Sequence, residues 1–260
     1  MKVLFIGDIV GKSGRDIVSS LLYSLKKDNN IDLVIANAEN SAHGKGITYR
    51  IYNQLINEGI DYITMGNHTY SKSEINEHMD EMDRLIVPIN HVKRNTDNYY
   101  KIISFKGIKF CLTNILGVAF MNETQINQYD SFKQVLEKTK NDNIDFYFVD
   151  FHAEATAEKR IFAEYFKDYA KVVLGTHTHV QTADEQILPN GTAYITDAGM
   201  CGAYVSVLGV KSESVIRRFT TSMPTRFDNA DGKAEINGVI VDIDENSKKA
   251  TKITRLYKII

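Results

Sequence analysis

The stretch VLFIGDIV, residues 3–10, and the stretch IVSSLLYSLKK, residues 17–27, define the pattern on which the fold of this chain depends. The first is an apolar run broken by one acid, which is typical of a buried strand, and the second has the period of an amphipathic helix. The same succession recurs at 32–39 (DLVIANAE) with 49–59 (YRIYNQLINEG), and at 62–67 (YITMGN) with 72–82 (KSEINEHMDEM), before LIVPIN at 85–90. Strands that alternate with helices at these intervals predict βαβ units with right-handed crossovers and a largely parallel sheet.

Hairpins dominate the second half of the chain. One turns at Lys106-Gly107, a second turns at Pro189-Asn190-Gly191, and a third joins residues 234–244 to 249–259. This strand-rich pairing implies a second sheet. We therefore predict an α/β fold in which two mixed sheets pack face to face with helices outside, forming a single domain over residues 1–260.

The composition limits the classes of protein that this chain can belong to. With 260 residues and 43% hydrophobic content, the chain can bury a full core without disulfides, so Cys111 and Cys201 are expected to be free and buried. A net charge of -2 offers no basic surface for a stable nucleic-acid partner. No signal-peptide or membrane-spanning stretch is evident, so we expect a cytoplasmic protein with small-molecule ligands. Apolar residues on the C-terminal hairpin could form a homo-oligomer contact.

Five short polar clusters lie at the end of, or just after, apolar runs. They are Asp8, Glu39-Asn40, Asn67-His68, His152, and His177 with His179. Open α/β folds place their ligands at the carboxyl ends of strands, so these clusters should gather along one edge of a sheet. Carboxylate, carboxamide and imidazole groups that recur there five times are hard to explain by packing. The pattern predicts a two-metal site.

Each cluster also has a purely structural interpretation. Asp8 or Glu39 could cap the following helix, and His152 alone could be a core residue with satisfied hydrogen bonds. A buried acid at a strand end is costly unless it is paired or metal-bound, which favours Glu39 as a ligand shared by two cations. In extended backbone His177 and His179 would lie on the same face, where both can point at one site.

The other histidines divide into two groups. His68 follows a candidate ligand without being needed as one, so it is free for proton chemistry. His43 and Lys45 lie in HGKG, a glycine-rich loop near Glu39, where they could contact a substrate phosphate. His78, on a polar helix, and His91, in a loop, are expected to be ordinary surface residues.

The order of these clusters resembles the calcineurin-like metallophosphoesterase superfamily, whose fold is a four-layer αββα sandwich. Two departures from its usual motifs are present, since Val10 stands where a histidine ligand is expected and Glu39 takes the bridging place. The phrases that narrow the resemblance are NAENSAHGKG (37–46), ITMGNHT (63–69), DFHAEATAEK (150–159), GTHTHVQTAD (175–184) and ILPNGTAYITDAGM (187–200). With them the chain looks essentially end to end like the bacterial YmdB-like family of 2',3'-cyclic-nucleotide phosphodiesterases.

The resemblance implies two sets of metal ligands. One set is Asp8, Glu39, Asn40 and His179, and the other is Glu39, Asn67, His152 and His177. The metals of that family are iron or manganese, and mixed oxygen and nitrogen ligands suit either.

The function expected from these observations is hydrolysis of a 2',3'-cyclic nucleotide to the 3'-nucleotide. A hydroxide shared by two cations would attack the phosphorus in line, and His68 would protonate the departing 2' oxygen as general acid. The residues by themselves indicate only phosphoester hydrolysis. Two alternatives are a nuclease or RNA-processing enzyme with the same metals, and a regulatory metal-binding protein with little turnover.

Overall fold

The computed structural model describes residues 1–260. Its strands are β1 (Lys2–Ile6), β2 (Asp8–Ile9), β3 (Leu33–Asn37), β4 (Tyr62–Thr64), β5 (Leu85–Ile86), β6 (Tyr100–Phe105), β7 (Ile108–Leu116), β8 (Phe146–His152), β9 (Ala170–Thr176), β10 (Gln186–Ile187), β11 (Ala193–Ile195), β12 (Met200–Ala203), β13 (Ala234–Ile243) and β14 (Ala250–Ile259). Its α-helices are α1 (Gly11–Asn29), α2 (Tyr49–Asn57), α3 (Ile75–His78), α4 (Gln128–Thr139), α5 (Thr156–Phe166) and α6 (Ser212–Thr221).

The strands form two mixed sheets. The first has eight strands in the order β2-β12-β13-β1-β3-β4-β5, with β14 paired to β13. The second has six strands in the order β10-β11-β9-β8-β7-β6. In the first sheet β1, β3, β4 and β5 are parallel, and in the second β7, β8, β9 and β11 are parallel. In the second sheet β6 and β10 flank the parallel block as antiparallel strands, whereas in the first sheet β13 pairs antiparallel with β1 and β5 is the edge strand.

Three apolar cores separate four layers. Helices α1 and α2 cover the outer face of the first sheet through residues such as Leu22 and Leu55. The two sheets share a core in which Phe5 meets Phe148 with ring centroids 6.0 Å apart. Helices α4 and α5 cover the second sheet, where Phe162 stacks on a ring of β8. The predicted αββα sandwich is confirmed.

Other expectations about the chain are met or corrected in particular places. Cys111 and Cys201 are free and buried, as expected. The stretch 72–82 does not form a full helix, because only α3 and two flanking 3₁₀ turns are helical. The C-terminal hairpin of β13 and β14 joins the first sheet beside β1 instead of extending the second.

The topology brings the carboxyl ends of several parallel strands together. Strands β1, β3 and β4 of the first sheet and β8 and β9 of the second end at the same side of the sandwich, where their following loops meet. All five polar clusters lie in or just after these strands or the adjacent β2.

None of the helices is both long and apolar enough to traverse a bilayer.

Candidate metal centre

The polar clusters converge across the two sheets. Asp8 lies in β2, Glu39 follows β3, and His152 is the last residue of β8; their side chains are essentially inaccessible to solvent. Burial of so many ionisable groups in one place is unfavourable unless they pair with each other or with a cation. The contacts that they make decide between these possibilities.

Four side-chain atoms crowd together at the centre of the site. The Nε2 atom of His152 lies 3.1 Å from Glu39 Oε1, 3.1 Å from Asn67 Oδ1 and 3.0 Å from His177 Nδ1. The ligand atoms of Glu39, His152 and His177 all lie within 4.8 Å of one another. A single ring nitrogen carries at most one proton, so it cannot satisfy three such neighbours.

The tautomer of His152 follows from the residues behind it. Its Nδ1 atom lies 2.9 Å from the hydroxyl of Thr176, which in turn donates a hydrogen bond of 2.7 Å to Asp150 Oδ1. Because a carboxylate only accepts, the Thr176 hydroxyl gives its proton to Asp150 and accepts the Nδ1–H of His152. In a neutral imidazole this leaves the Nε2 lone pair directed at the centre of the site.

The same reasoning applies to His177. Its Nε2 atom lies 3.2 Å from Glu154 Oε2, which fixes the ring proton on that side and leaves the Nδ1 lone pair facing His152. With Glu39 and Asn67, four electron-pair donors then point at one position. This donor set fits a cation.

A second, looser group lies beside the first. Asn40 donates its amide N–H to the carbonyl of Gly44, so its Oδ1 atom faces His179 Nε2 at 3.3 Å. His179 Nδ1 lies 3.3 Å from the carbonyl of Leu208, which places the ring proton away from Asn40. Asp8 Oδ1 is buried without any hydrogen-bond partner, although Oδ2 accepts the backbone N–H of His177 at 3.1 Å. These unsatisfied acceptors fit a second cation beside the first group.

Gly66 shows how closely the backbone approaches the centre. A β-carbon at this position would lie 2.3 Å from Glu39 Oε2 and 2.4 Å from His152 Nε2. No larger residue fits there without displacing a ligand atom. The glycine in the GNH motif is therefore a requirement of the site.

The charges of the central pair are strongly coupled. Burial alone would raise the pKa of Glu39, but the charge and hydrogen bond of His152 outweigh burial and lower the pKa to about 2. Burial alone would lower the pKa of His152, but Glu39, with Asp8 and Asp150, raises it to about 9. Without a cation, a proton on His152 balances these carboxylates. That proton occupies the place that a metal ion would take.

Burial is the largest influence on the pKa values of the other ionisable candidate ligands. Burial lowers the pKa of His177 to about 3, and burial also lowers the pKa of His179. Burial raises the pKa of Asp8 well above its usual range, against the opposing charge of His152. A neutral imidazole offers a lone pair to a cation, and Asp8 offers an oxygen atom that has no partner. A bound cation would stabilise the unprotonated imidazoles and the ionised carboxylate.

The predicted proton donor and substrate contacts line one open cleft. Its volume is about 460 Å³, and its walls include His68, His43 and Lys45 beside the candidate ligands Glu39 and His179. The backbone N–H of His68 donates to Glu39 Oε2 at 2.9 Å. The imidazole ring of His68 itself makes no hydrogen bond. Burial lowers the pKa of His68. His43 adopts a left-handed conformation, with φ of 58°.

Two expectations about histidines were wrong. His91 is not a surface residue; it is buried, its Nε2 lies 3.1 Å from the carbonyl of Asn67, and its Nδ1 accepts the N–H of Lys93. It therefore positions the Asn67 backbone. His177 and His179 are not in extended backbone, because their φ angles are 98° and 67°. They reach the site through a turn that begins where β9 ends.

Several residues that shape the site were missed from the sequence. Glu154, Asp150 and Thr176 fix the ring orientations, and each lies within two residues of a predicted ligand. Their proximity to the histidines was the available signal. His78 is half-exposed and stacks on Tyr49, so it is separate from the site.

Comparison with known proteins gives a consistent result. A family model described as YmdB-like protein matches residues 4–256. The chain is 43% identical over 256 residues to the 2',3'-cyclic-nucleotide 2'-phosphodiesterase of Bacillus subtilis, covering 98% of this chain and 96% of that protein. The crystal structure of a novel phosphatase from Mycoplasma pneumoniae is 37% identical in sequence with a TM-score of 0.93, covering 100% of this chain and 93% of that one. A hypothetical protein from Thermus thermophilus is 33% identical with a TM-score of 0.91, covering 100% and 99%.

Proposed function

This chain belongs to the YmdB-like family, and from that premise we propose that it is a single-domain, metal-dependent phosphodiesterase that hydrolyses 2',3'-cyclic nucleotides to 3'-nucleotides. The coarser conclusion, that the chain is an enzyme of phosphoester hydrolysis, follows from its relatives. The observation that carries the proposal is the convergence of unsatisfied electron-pair donors around His152 Nε2.

Two cations fit the two groups of donors. Glu39, Asn67, His152 and His177 would hold one, and Asp8, Glu39, Asn40 and His179 would hold the other. Oxygen and nitrogen donors in this mixture suit iron or manganese, which we propose as the metals. Bound cations lower the pKa of water to supply a nucleophile near neutral pH, and they neutralise the charge of the phosphate.

His68 is the residue that we propose as general acid. Its ring lines the cleft, makes no hydrogen bond to another side chain, and follows a metal ligand directly in the chain. Opening of the cyclic ester leaves an alkoxide on the ribose, and a protonated imidazole at this place can donate a proton to it. His91 and Glu39 hold the two polar atoms of the peptide group between Asn67 and His68, so the backbone that carries the ring is fixed.

The loop of His43 and Lys45 is proposed to contact the phosphate. Both residues line the cleft that contains the metal ligands, and the lysine charge complements a phosphate. A cyclic nucleotide is small enough for this cleft, and a net charge of -2 does not favour a long nucleic acid as a stable partner. Two free buried cysteines fit the cytoplasmic location that we propose.

The test uses purified protein loaded with Mn²⁺ or Fe²⁺ and supplied with 2',3'-cyclic AMP. We expect 3'-AMP as the product, identified by chromatography against 2'-AMP. His68→Ala should lower kcat by about 10²-fold while the metal content is unchanged, as expected for a lost general acid. His78→Ala, which removes a histidine far from the cleft, is the matched control. Equal turnover by the wild type and His68→Ala would remove His68 from the mechanism, and faster turnover of an oligonucleotide would favour a nuclease.

A further inference from the structure

We propose that Phe227 is the stacking platform for the nucleobase of the substrate, so that the enzyme selects cyclic phosphodiesters that carry a base. This inference rests on the proposed function, because it assigns a second subsite within the same cleft. Phe227 belongs to none of the polar clusters, and the phosphodiester chemistry described above does not use it.

The position of the ring supports this role. Phe227 lines the same cleft as Glu39, His177 and Lys45, yet 51% of its surface is exposed to solvent. An aromatic ring that is exposed beside the candidate metal centre leaves apolar surface in contact with water. A planar base that covers this surface would bind more tightly, because it stacks on the ring and buries apolar area. Every base has a π-face, so this contact favours nucleotides over base-free diesters without reading a particular base.

The backbone next to Phe227 is firmly attached. We call residues 207–230 the α6 segment. The two ends of this segment pair with each other, and helix α6 lies between them. The N–H of Lys211 donates to the carbonyl of Asp228 at 3.0 Å, and the N–H of Ala230 donates to the carbonyl of Gly209 at 2.8 Å. Phe227 directly precedes this ladder. Its backbone is therefore held in place before any ligand arrives.

Asn229 ties the α6 segment to the metal-binding loops. Its side chain lies between Gly11, which follows the Asp8 strand, and Gly44 in the HGKG loop: a β-carbon on these glycines would lie 2.2 Å and 2.7 Å from the Asn229 amide atoms. The distance between Phe227 and the centre is thus set by contacts with the loops that carry Asp8 and Asn40. Because Phe227 and the candidate ligands line one cleft, our proposal assigns the base and the phosphate of a single nucleotide to that cleft.

The far side of Phe227 borders the helix. Phe227 shares a shallow depression with Arg218, Phe219 and Ser222 of the α6 segment. These residues lie outside the cleft that holds the metal ligands. Phe227 is therefore the aromatic side chain of the α6 segment that faces both the cleft and the helix. Phe219 is a comparable ring that is 81% exposed but does not reach the cleft.

The test compares substrates with and without a base. For Phe227→Ala we expect KM for 2',3'-cyclic AMP to rise about tenfold with kcat within about twofold, the effect of losing one base–aromatic stack. Phe227→Tyr should restore the wild-type KM, and Phe219→Ala should leave it unchanged. With glycerol 1,2-cyclic phosphate, which has the reacting group but no base, the KM of Phe227→Ala should match that of the wild type.

The outcomes separate this inference from the proposed function. An unchanged KM for 2',3'-cyclic AMP in Phe227→Ala, or an equal rise for both substrates, overturns the stacking role. If the wild type hydrolyses neither diester, the proposed function fails, and binding then decides the stacking role. In that case 3'-AMP and ribose 3-phosphate are titrated calorimetrically into metal-loaded protein. Loss of the preference for 3'-AMP in Phe227→Ala supports the platform, and an undiminished preference rejects it.

Discussion

Replacement of Asp150 by Asn should weaken metal binding without unfolding the protein. The Asp150 carboxylate is completely buried and accepts three hydrogen bonds, from Thr176 at 2.7 Å, Thr64 at 2.5 Å and Asn37 at 2.9 Å. Burial raises the pKa of Asp150, and the charge of His152 with these hydrogen bonds opposes that rise. Its role is to accept the proton of the Thr176 hydroxyl.

The asparagine reverses one hydrogen bond. Its oxygen can still serve Thr64 and Asn37, so its amide N–H groups face Thr176. The Thr176 hydroxyl must then accept from the amide and donate to His152 Nδ1, which leaves the ring proton on Nε2. In the variant the neutral ring therefore keeps its proton on the nitrogen that has to bind the metal, whereas in the wild type the neutral ring leaves that nitrogen unprotonated. Loss of such an orienting partner typically weakens metal affinity by about 10- to 100-fold, or about 1.4 to 2.7 kcal/mol.

The fold should tolerate the change, since the three hydrogen bonds can remain as neutral ones, each weaker by about 1 kcal/mol, and a buried charge no longer has to be desolvated. The assay is calorimetric titration of the metal-free protein with Mn²⁺, together with thermal unfolding in chelator. Asp168→Asn, on the surface at the end of α5, is the control for the change in charge. Wild-type affinity in a folded Asp150→Asn protein would refute the tautomer argument. Thr176→Val, which removes the same relay without changing charge, should give a similar loss.

Three further changes can be tested. Gly66→Ala should abolish metal binding, measured by metal content after dialysis, because its β-carbon would displace Glu39 and His152; a fully loaded variant would contradict the geometry. Because the pKa of His152 is raised to about 9 in the metal-free protein, metal binding below that pH should release a proton, and the apparent affinity should rise by about tenfold per pH unit before levelling above it. Calorimetry in buffers of different ionisation enthalpy measures this release, and affinity independent of pH would count against the coupled pair. Burial raises the thiol pKa values of Cys111 and Cys201, so neither should react with a thiol reagent until the protein is unfolded, and rapid labelling of the native protein would show otherwise.

The layered fold was predictable because parallel strands buried on both faces leave continuous apolar runs in the sequence. VLFI in β1 and VVLG in β9 are such runs, and the polar residue that follows each marks an edge. The partner of the C-terminal hairpin was not predictable, because β13 pairs with β1 across the length of the chain, with Lys2 opposite Asp242. No local pattern encodes that pairing.

The candidate ligands were accessible to sequence reasoning because each is a metal-binding type at the end of a strand. The residues that orient them were not, since a threonine, an aspartate and a histidine in a loop have many ordinary roles. His91 is the clearest case, because only the folded chain shows that it donates to the Asn67 carbonyl. The interior of 72–82 failed for a simpler reason: Ile75, Met79 and Met82 pack on the core, but the α-helix that begins at Ile75 ends at His78 and a 3₁₀ turn follows it.

The donors come from both sheets, and this division has a consequence for synthesis of the protein on the ribosome. Asp8, Glu39 and Asn67 emerge early, whereas His177 and His179 appear only after about two thirds of the chain has been made. The sheet that carries the early residues is completed last, when β13 inserts between β1 and β12. A nascent chain therefore cannot complete the pocket before residues 177–179 and β13 have joined the fold, so any ion would be captured late in folding.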